Sequence, residues 1–192
     1  MSDIVYSYVE TLPQKNRHII SVMVENEFGV LARVIGLFSS RGYNIESLTV
    51  AEVESKTKVS RITIVTSGED MIIQQIKHQL ERLVPVHSVH DLTLECKHIE
   101  RELALIKVRS TGDERVEALR IADIFRARVV DTTRESFVFE ITGISEKIDT
   151  FVELMRPLGL INIARTGVVA ISRGPTNLRS KREVLNEQLK DE

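Results

Sequence analysis

The chain is predicted to be α+β, with one strand-helix-strand-strand-helix-strand order used twice in succession. Three observations predict this. Short apolar runs alternate with polar residues and end at turn signals; between them, apolar residues recur at spacings of three and four; and the whole order returns in the second half of the chain.

The first run, His18 to Glu25 (HIISVMVE), places Ile20, Val22 and Val24 on one face, as a part-buried strand requires. Asn26-Glu27-Phe28-Gly29 interrupts it. Leu31, Val34, Ile35 and Phe38 then form a helical stripe that stops at Arg41-Gly42, where glycine suits a helix end. Asn44 to Val53 and Arg61 to Thr66 read as two strands of a hairpin across the polar turn Glu54 to Lys58. Ser67-Gly68-Glu69-Asp70 offers helix caps, Ile73, Ile76, Leu80 and Leu83 supply the second stripe, and Val86 to Leu94 closes as a fourth strand. This is the βαββαβ, ferredoxin-like order, in which two helices cover one face of an antiparallel sheet and leave the other available to partners.

After a charged stretch around Cys96 to Arg101 the order repeats. Leu103 to Val108 is followed by Ser110-Thr111-Gly112-Asp113, a helix carrying Val116, Leu119, Ala122 and Phe125, and a hairpin of Arg128 to Thr133 with Ser136 to Thr142. Ile148, Phe151, Val152 and Met155 mark the last helix. Leu160 to Ser172 supplies the last strand, with Gly167 a place for a kink. The expected organisation is therefore an N-terminal arm over 1–17, two tandem ferredoxin-like βαββαβ domains over 18–95 and 96–175, and a charged tail over 176–192 whose Leu178, Leu185 and Leu189 give only a thin apolar stripe.

Composition narrows the function classes. Of 192 residues, 42% are hydrophobic and 28% charged, enough for a core, and the net charge of -2 leaves no footprint for nucleic acid or anionic lipid. Cys96 is the only cysteine, which excludes an intrachain disulfide and fits a reducing, cytoplasmic setting. No apolar run approaches a membrane span, and residues 1 to 17 look like neither a signal nor a transit peptide.

The stretch Asn26 to Leu31 carries the most chemistry. A glycine between a strand end and a helix start leaves unpaired amides and partial positive charge at the helix mouth, which suits a carboxylate, and Gly29 permits close approach. Asn44, which begins the next strand, is expected to bring an amide to the same mouth, giving the donor and acceptor a zwitterionic amino acid needs. A plain tight turn accounts for the same pattern. His87, His90, Cys96 and His98 are competent zinc ligands, but His87 and His90 differ by an odd number and would point to opposite strand faces. No hydrolase elbow, zinc-helix or phosphate-loop motif is present, and a lone Cys96 lacks a positioned base.

The segment ENEFGVLARVIGLFSSRGYNIESLTV resembles the N-terminal ACT domain of acetolactate (acetohydroxyacid) synthase small subunits. The likeness continues through SRITIV, LERLVPV, IERELALIKV and IFRARVVD to TGVVAISRG, covering roughly residues 18–174. It implies a non-catalytic regulatory subunit that forms a homodimer and binds valine, or leucine or isoleucine, in the seam between two ACT domains joined edge to edge. It further implies binding to the catalytic large subunit, which carries thiamine diphosphate, magnesium and FAD, none of them on this chain. That subunit would be activated and would receive feedback inhibition in branched-chain amino acid biosynthesis. The effector-site residues carry over to Asn26, Gly29 and Asn44, with Ala32 and Ala51 where substitutions relieve inhibition, and Val30 and Leu31 adding backbone donors and apolar walls. Many ACT domains have aspartate where Asn26 stands. The second repeat, with Ser110-Thr111-Gly112-Asp113-Glu114, lacks the N-x-x-G-x-L pattern and is expected to be structural and dimer-forming. Two rival readings are a free-standing ACT-type regulator without a synthase partner and a metal-dependent enzyme or metalloregulator built on His87, His90 and His98.

Overall fold

The computed structural model describes residues 16–54 and 58–175; most of the expected arm, and the tail over 176–192, lie outside them. Alternation over Ile20, Val22 and Val24 makes β1 (Asn16–Glu25), which begins two residues before the expected strand. Then come α1 (Val30–Ser39), β2 (Ser47–Glu54), β3 (Val59–Gly68), α2 (Asp70–Leu80) and β4 (Val86–Asp91). These strands form an antiparallel sheet in the order β2-β3-β1-β4. Its core is the meeting of Ile20, Val22, Ile62 and Ile64 with Phe38 of α1 and Ile76 of α2, all buried. Period two on the strands and three-to-four spacing on the helices aim these side chains at one layer.

The fourth strand stops three residues earlier than its apolar pattern suggests. Asp91 accepts hydrogen bonds from the Thr93 amide (2.9 Å) and the Leu94 amide (3.4 Å), which turns the chain into a short helix α3 (Leu92–Glu95).

The second unit comprises β5 (His98–Arg109), α4 (Gly112–Phe125), β6 (Arg128–Thr132), β7 (Ser136–Gly143), α5 (Ser145–Met155), a 3-10 turn at Arg156–Leu158, β8 (Leu160–Arg165) and β9 (Val169–Ser172). Its sheet runs β6-β7-β5-β8, with β9 beside the first half of β5. Three expectations are corrected here. The charged stretch before Leu103 is strand from His98 onward, because its backbone pairs with β9 from His98↔Ser172 to Arg101↔Val169. The last strand is two strands, broken at Gly167 with φ 81°. Along α4 the buried residues are Ala118, Ile121 and Ala122, while Val116 and Leu119 are exposed; the helix rests on this row of three-and-four spacing in the core, and Arg115 lies over the Phe137 ring at 3.8 Å.

The free face of the first sheet is also less open than a lone domain would leave it. Val168 and Ala170 pack against Ile19, Val65 and Leu92 in a separate buried cluster that joins the two units. Among the described residues, no helix is long and apolar enough to cross a membrane.

Candidate functional site

The mouth of α1 is built by a backbone reversal. Glu25 ends β1 with its amide on Pro85 O (2.9 Å), and the Asn26 amide donates to Lys58 O (2.6 Å), pinning the start of the loop to both neighbouring turns. Gly29 then sits at φ 83°, a left-handed conformation that costs an ordinary residue about 1–2 kcal/mol, and nothing lies within 4 Å of where a Cβ would stand. The mouth is therefore open. Val30 N–H points weakly at Glu27 O (3.4 Å), and the first intrahelical bond is Arg33 N–H to Gly29 O (3.0 Å). The amides of Leu31 and Ala32 have no acceptor among the described residues. Two such donors at the positive end of a helix dipole form a seat for an anionic group.

The expected site residues divide into two groups. Asn26, Gly29, Val30, Leu31 and Ala32 are brought together at the mouth, with Ala32 exposed, Leu31 half-buried and the Val30 side chain committed to the core. The Asn26 side-chain amide donates to Glu52 (3.2 Å), which ties the mouth to the far end of β2. Ala51, opposite Arg61 in the ladder, lies exposed on β2 next to Glu52, facing away from the helices. Asn44 does not belong to this group. Its carbonyl accepts from the Thr66 hydroxyl (2.6 Å), and Thr66 stands opposite His18 near the beginning of β1. Since α1 runs back along the sheet before β2 returns, Asn44 is at the other end of β2 from Glu52, about 20 Å away at 3.3 Å per strand residue. The expectation that Asn44 reaches the Gly29 mouth of its own chain is thus corrected, for the plain reason that a helix separates them.

Two residues at the mouth escaped the sequence reading. Glu52 supplies a carboxylate held against the Asn26 side chain, the counterpart of an ammonium group, and Phe28 projects its ring fully into solvent at 103% relative exposure. No spacing rule connects Glu52 to Asn26, because the contact is made by strand pairing. Phe28 had a signal, a lone aromatic in a polar loop.

The histidines face separate partners. His90 Nδ1 is 2.8 Å from Glu95, His98 Nδ1 is 3.0 Å from Leu92 O, and His87 is 3.9 Å from Glu25. Among the described residues, no three His, Cys, Asp or Glu side chains converge as a metal site would require. Burial, helped by the Glu95 and Asp91 carboxylates, pushes the Cys96 thiol above its usual range, the reverse of activation.

A cavity of about 1230 Å³ lies between the two units. Across its floor Arg165 forms a two-pronged ion pair with Glu102 (2.8 and 2.7 Å), and Arg17 of β1 pairs with Glu100 of β5 (2.7 Å). Its bent rim is Thr166-Gly167-Val168, where the Val168 amide donates to Ser47 Oγ (2.8 Å) on β2.

Comparison with known proteins bears on both units. Residues 20–88 match the family model described as an AHAS small subunit-like ACT domain, and residues 101–174 match the one described as the small subunit of acetolactate synthase. The chain is 47% identical over 158 residues to a probable acetolactate synthase small subunit of Archaeoglobus fulgidus, covering 82% of this chain and 98% of the relative. It is 44% identical over 164 residues to the acetolactate synthase isozyme 3 small subunit of Escherichia coli, covering 85% and 99%. Among solved structures, the acetolactate synthase small subunit of Thermotoga maritima superposes with a TM-score of 0.76 at 40% identity, covering 84% of this chain and 99% of that one.

Proposed function

The chain belongs to the acetolactate synthase small subunits, and from that premise we propose that it is a homodimeric, non-catalytic regulator. It joins the catalytic large subunit, raises its activity and passes on feedback inhibition in branched-chain amino acid biosynthesis. The catalytic partner, not this chain, holds the thiamine diphosphate, magnesium and FAD. Residues 18–95 form the effector-binding unit and residues 96–175 the second, structural unit.

The effector is valine, or leucine or isoleucine. The observation that carries this reading is the pair of unaccepted amides at Leu31 and Ala32 behind the open Gly29 turn, with the Glu52 carboxylate alongside. An α-amino acid offers one carboxylate for the amides and one ammonium for a carboxylate, and a small aliphatic side chain needs only a modest apolar wall.

Asn44 completes the site from the other chain. β2 is an edge strand with Val50, Ala51, Glu52 and Val53 exposed, so two copies can pair their β2 edges antiparallel about a two-fold axis. That operation sets the Asn44 end of one chain against the Asn26 end of the other, and Ala51 falls within the seam. A ligand held by both chains favours one arrangement of the dimer over another, and this differential affinity is what the catalytic subunit senses.

Titration calorimetry with valine tests the reading. Wild type should bind saturably and Gly29→Asp should not, since a carboxylate would stand at the mouth. Asn26→Ala and Asn44→Ala should each lose binding, and refolding the two variants together should restore one intact site per mixed dimer. Failure to restore any would overturn the shared seam.

A further inference from the structure

The cavity between the two units has more carboxylates on its walls than cations to meet them. On α5, Glu146, Asp149, Thr150 and Glu153 fall three and four apart, on a different side of the helix from the buried Ile148, Phe151, Val152 and Met155, and this stripe lines the cavity. Glu46, just before β2, lines it from the first unit. The two arginines of the lining are already engaged, Arg17 with Glu100 (2.7 Å) and Arg165 with Glu102 (2.7 Å) and Asp149 (2.6 Å). Three carboxylates remain. Glu46 accepts only the Ser67 hydroxyl, Glu153 stands 3.9 Å from Arg156, and the Glu146 carboxylate has no partner among the described residues. Between these acids Ile144 and Leu154, 41% and 42% exposed, supply an apolar wall.

Such a cleft calls for an occupant that carries several cations with an apolar side chain among them. A second copy of the cleft would repel this one. Residues 1–15 do not suit it either, since they set Asp3 and Glu10 against Lys15. Residues 176–182 (TNLRSKR) do, with Arg179, Lys181 and Arg182 beside Leu178 and no carboxylate. They lie outside the described residues and beyond position 174, where the match to the small-subunit model ends. Their point of departure is set by β9. That strand starts one residue after Val168 on the rim of the cleft and carries the chain about 10 Å from Val169 to Ser172, at 3.3 Å per residue. Gly174 then takes φ 93°, and Pro175 has no N–H with which to extend the ladder on β5, so the strand ends in a turn. Residues 176–182 can span up to about 23 Å, which exceeds the return to the rim.

We propose that residues 176–182 seat in the cleft between the two units of their own chain, their cations on the carboxylates of Glu46, Glu146 and Glu153 and Leu178 against the apolar wall. The segment then straps the second unit to the first, next to the Arg17–Glu100 pair and the Val168–Ser47 bond. This holds whichever effector the first unit binds. Because the carboxylates are exposed, the seat weakens as salt rises.

The test uses the full-length chain. Trypsin cleavage after Arg179, Lys181 and Arg182, followed by mass spectrometry, reads access to the segment, and the methyl NMR signals of Ile144 and Leu154 read the cleft. Cleavage of wild type should be slow. Glu146→Gln/Glu153→Gln alters two exposed positions and no core residue, and should speed cleavage at least ten-fold. Arg179→Glu/Lys181→Glu/Arg182→Glu should shift the Ile144 and Leu154 methyl signals, and so should raised salt in wild type. Equal cleavage rates in wild type and the glutamine variant, or methyl signals that the triple variant leaves in place, would overturn the proposal. Protection that disappears on dilution would give the cleft to the segment of a second copy, and methyl signals that move only when the catalytic large subunit is added would give it to that protein; both results overturn a seat within one chain.

Discussion

Glu102 shows how much one side chain on a strand can hold. It is 5% exposed, accepts both prongs of Arg165 and the Ser145 hydroxyl (3.0 Å), and anchors the strand end nearest the Gly167 bend. Burial alone would raise its pKa, but the Arg165 guanidinium, Ser145 and the Gly167 amide more than offset that and hold the carboxyl below its usual range. A carboxyl depressed in the folded state adds stability that is complete above the unfolded value, about pH 4.3, and is lost as pH falls through the lower folded value. Glu102→Ala should therefore cost about 3 kcal/mol at pH 7, since Arg165 keeps only Asp149 as a partner. Its urea midpoint should also change less than that of wild type between pH 7 and pH 3. An unchanged acid slope would mean that the pair contributes nothing to the pH dependence. Asp149 and Ser145 were out of reach of sequence reasoning here, because Ser145 meets Glu102 across 43 residues and Asp149 meets Arg165 across 16, and neither follows a period.

The elements that hydrophobic spacing predicted are those whose buried residues coincide with their apolar ones. Val34 and Phe38 in α1, Ile73, Ile76 and Leu80 in α2, and Ile148, Phe151, Val152 and Met155 in α5 are all buried. Where packing overrides composition the pattern misleads, as in α4, or is too short to register, as in α3. The break between β8 and β9 is of another kind. Gly167 tolerates φ 81°, and a Cβ there would stand 2.8 Å from Ser47 Oγ and 2.9 Å from Thr49 Oγ1. Gly29 shares the positive φ but has open space around it, so the two glycines separate backbone strain from crowding. Gly29→Ala should cost about 1 kcal/mol and Gly167→Ala about 2–3 kcal/mol, a further fall in Tm of roughly 2–8 °C by thermal unfolding. Equal losses would show that the bend does not press on β2.

At the scale of the whole molecule, two sheets with separate cores are fastened by one small apolar cluster. Ile19, Val65 and Leu92 of the first unit meet Val168 and Ala170 of the second, each at 6% exposure or less. The Arg17–Glu100 pair and the Val168–Ser47 bond add polar links nearby. β2 carries both the Ser47 contact and the proposed effector edge, so the second unit and the proposed seam share one strand. Val168→Asp would place an unpaired carboxylate in this cluster, which the interior tolerates only at a cost of several kcal/mol. Calorimetry should then resolve two unfolding transitions where wild type shows one. A single, merely lowered transition in the variant would mean that the units remain coupled without the cluster.

The sequence by itself determined the repeated βαββαβ order and the glycine turn before α1, because these depend on local periodicity and on backbone preferences that neighbouring residues express. The family likeness was legible for the same reason, being carried by contiguous stretches. Tertiary structure alone decided that Asn44 and Gly29 lie at opposite ends of one sheet, that Glu52 reaches Asn26, and that β9 folds back to join the two units. Each of these depends on which strands pair and in what register, a matter of long-range backbone hydrogen bonding and burial that no local pattern encodes.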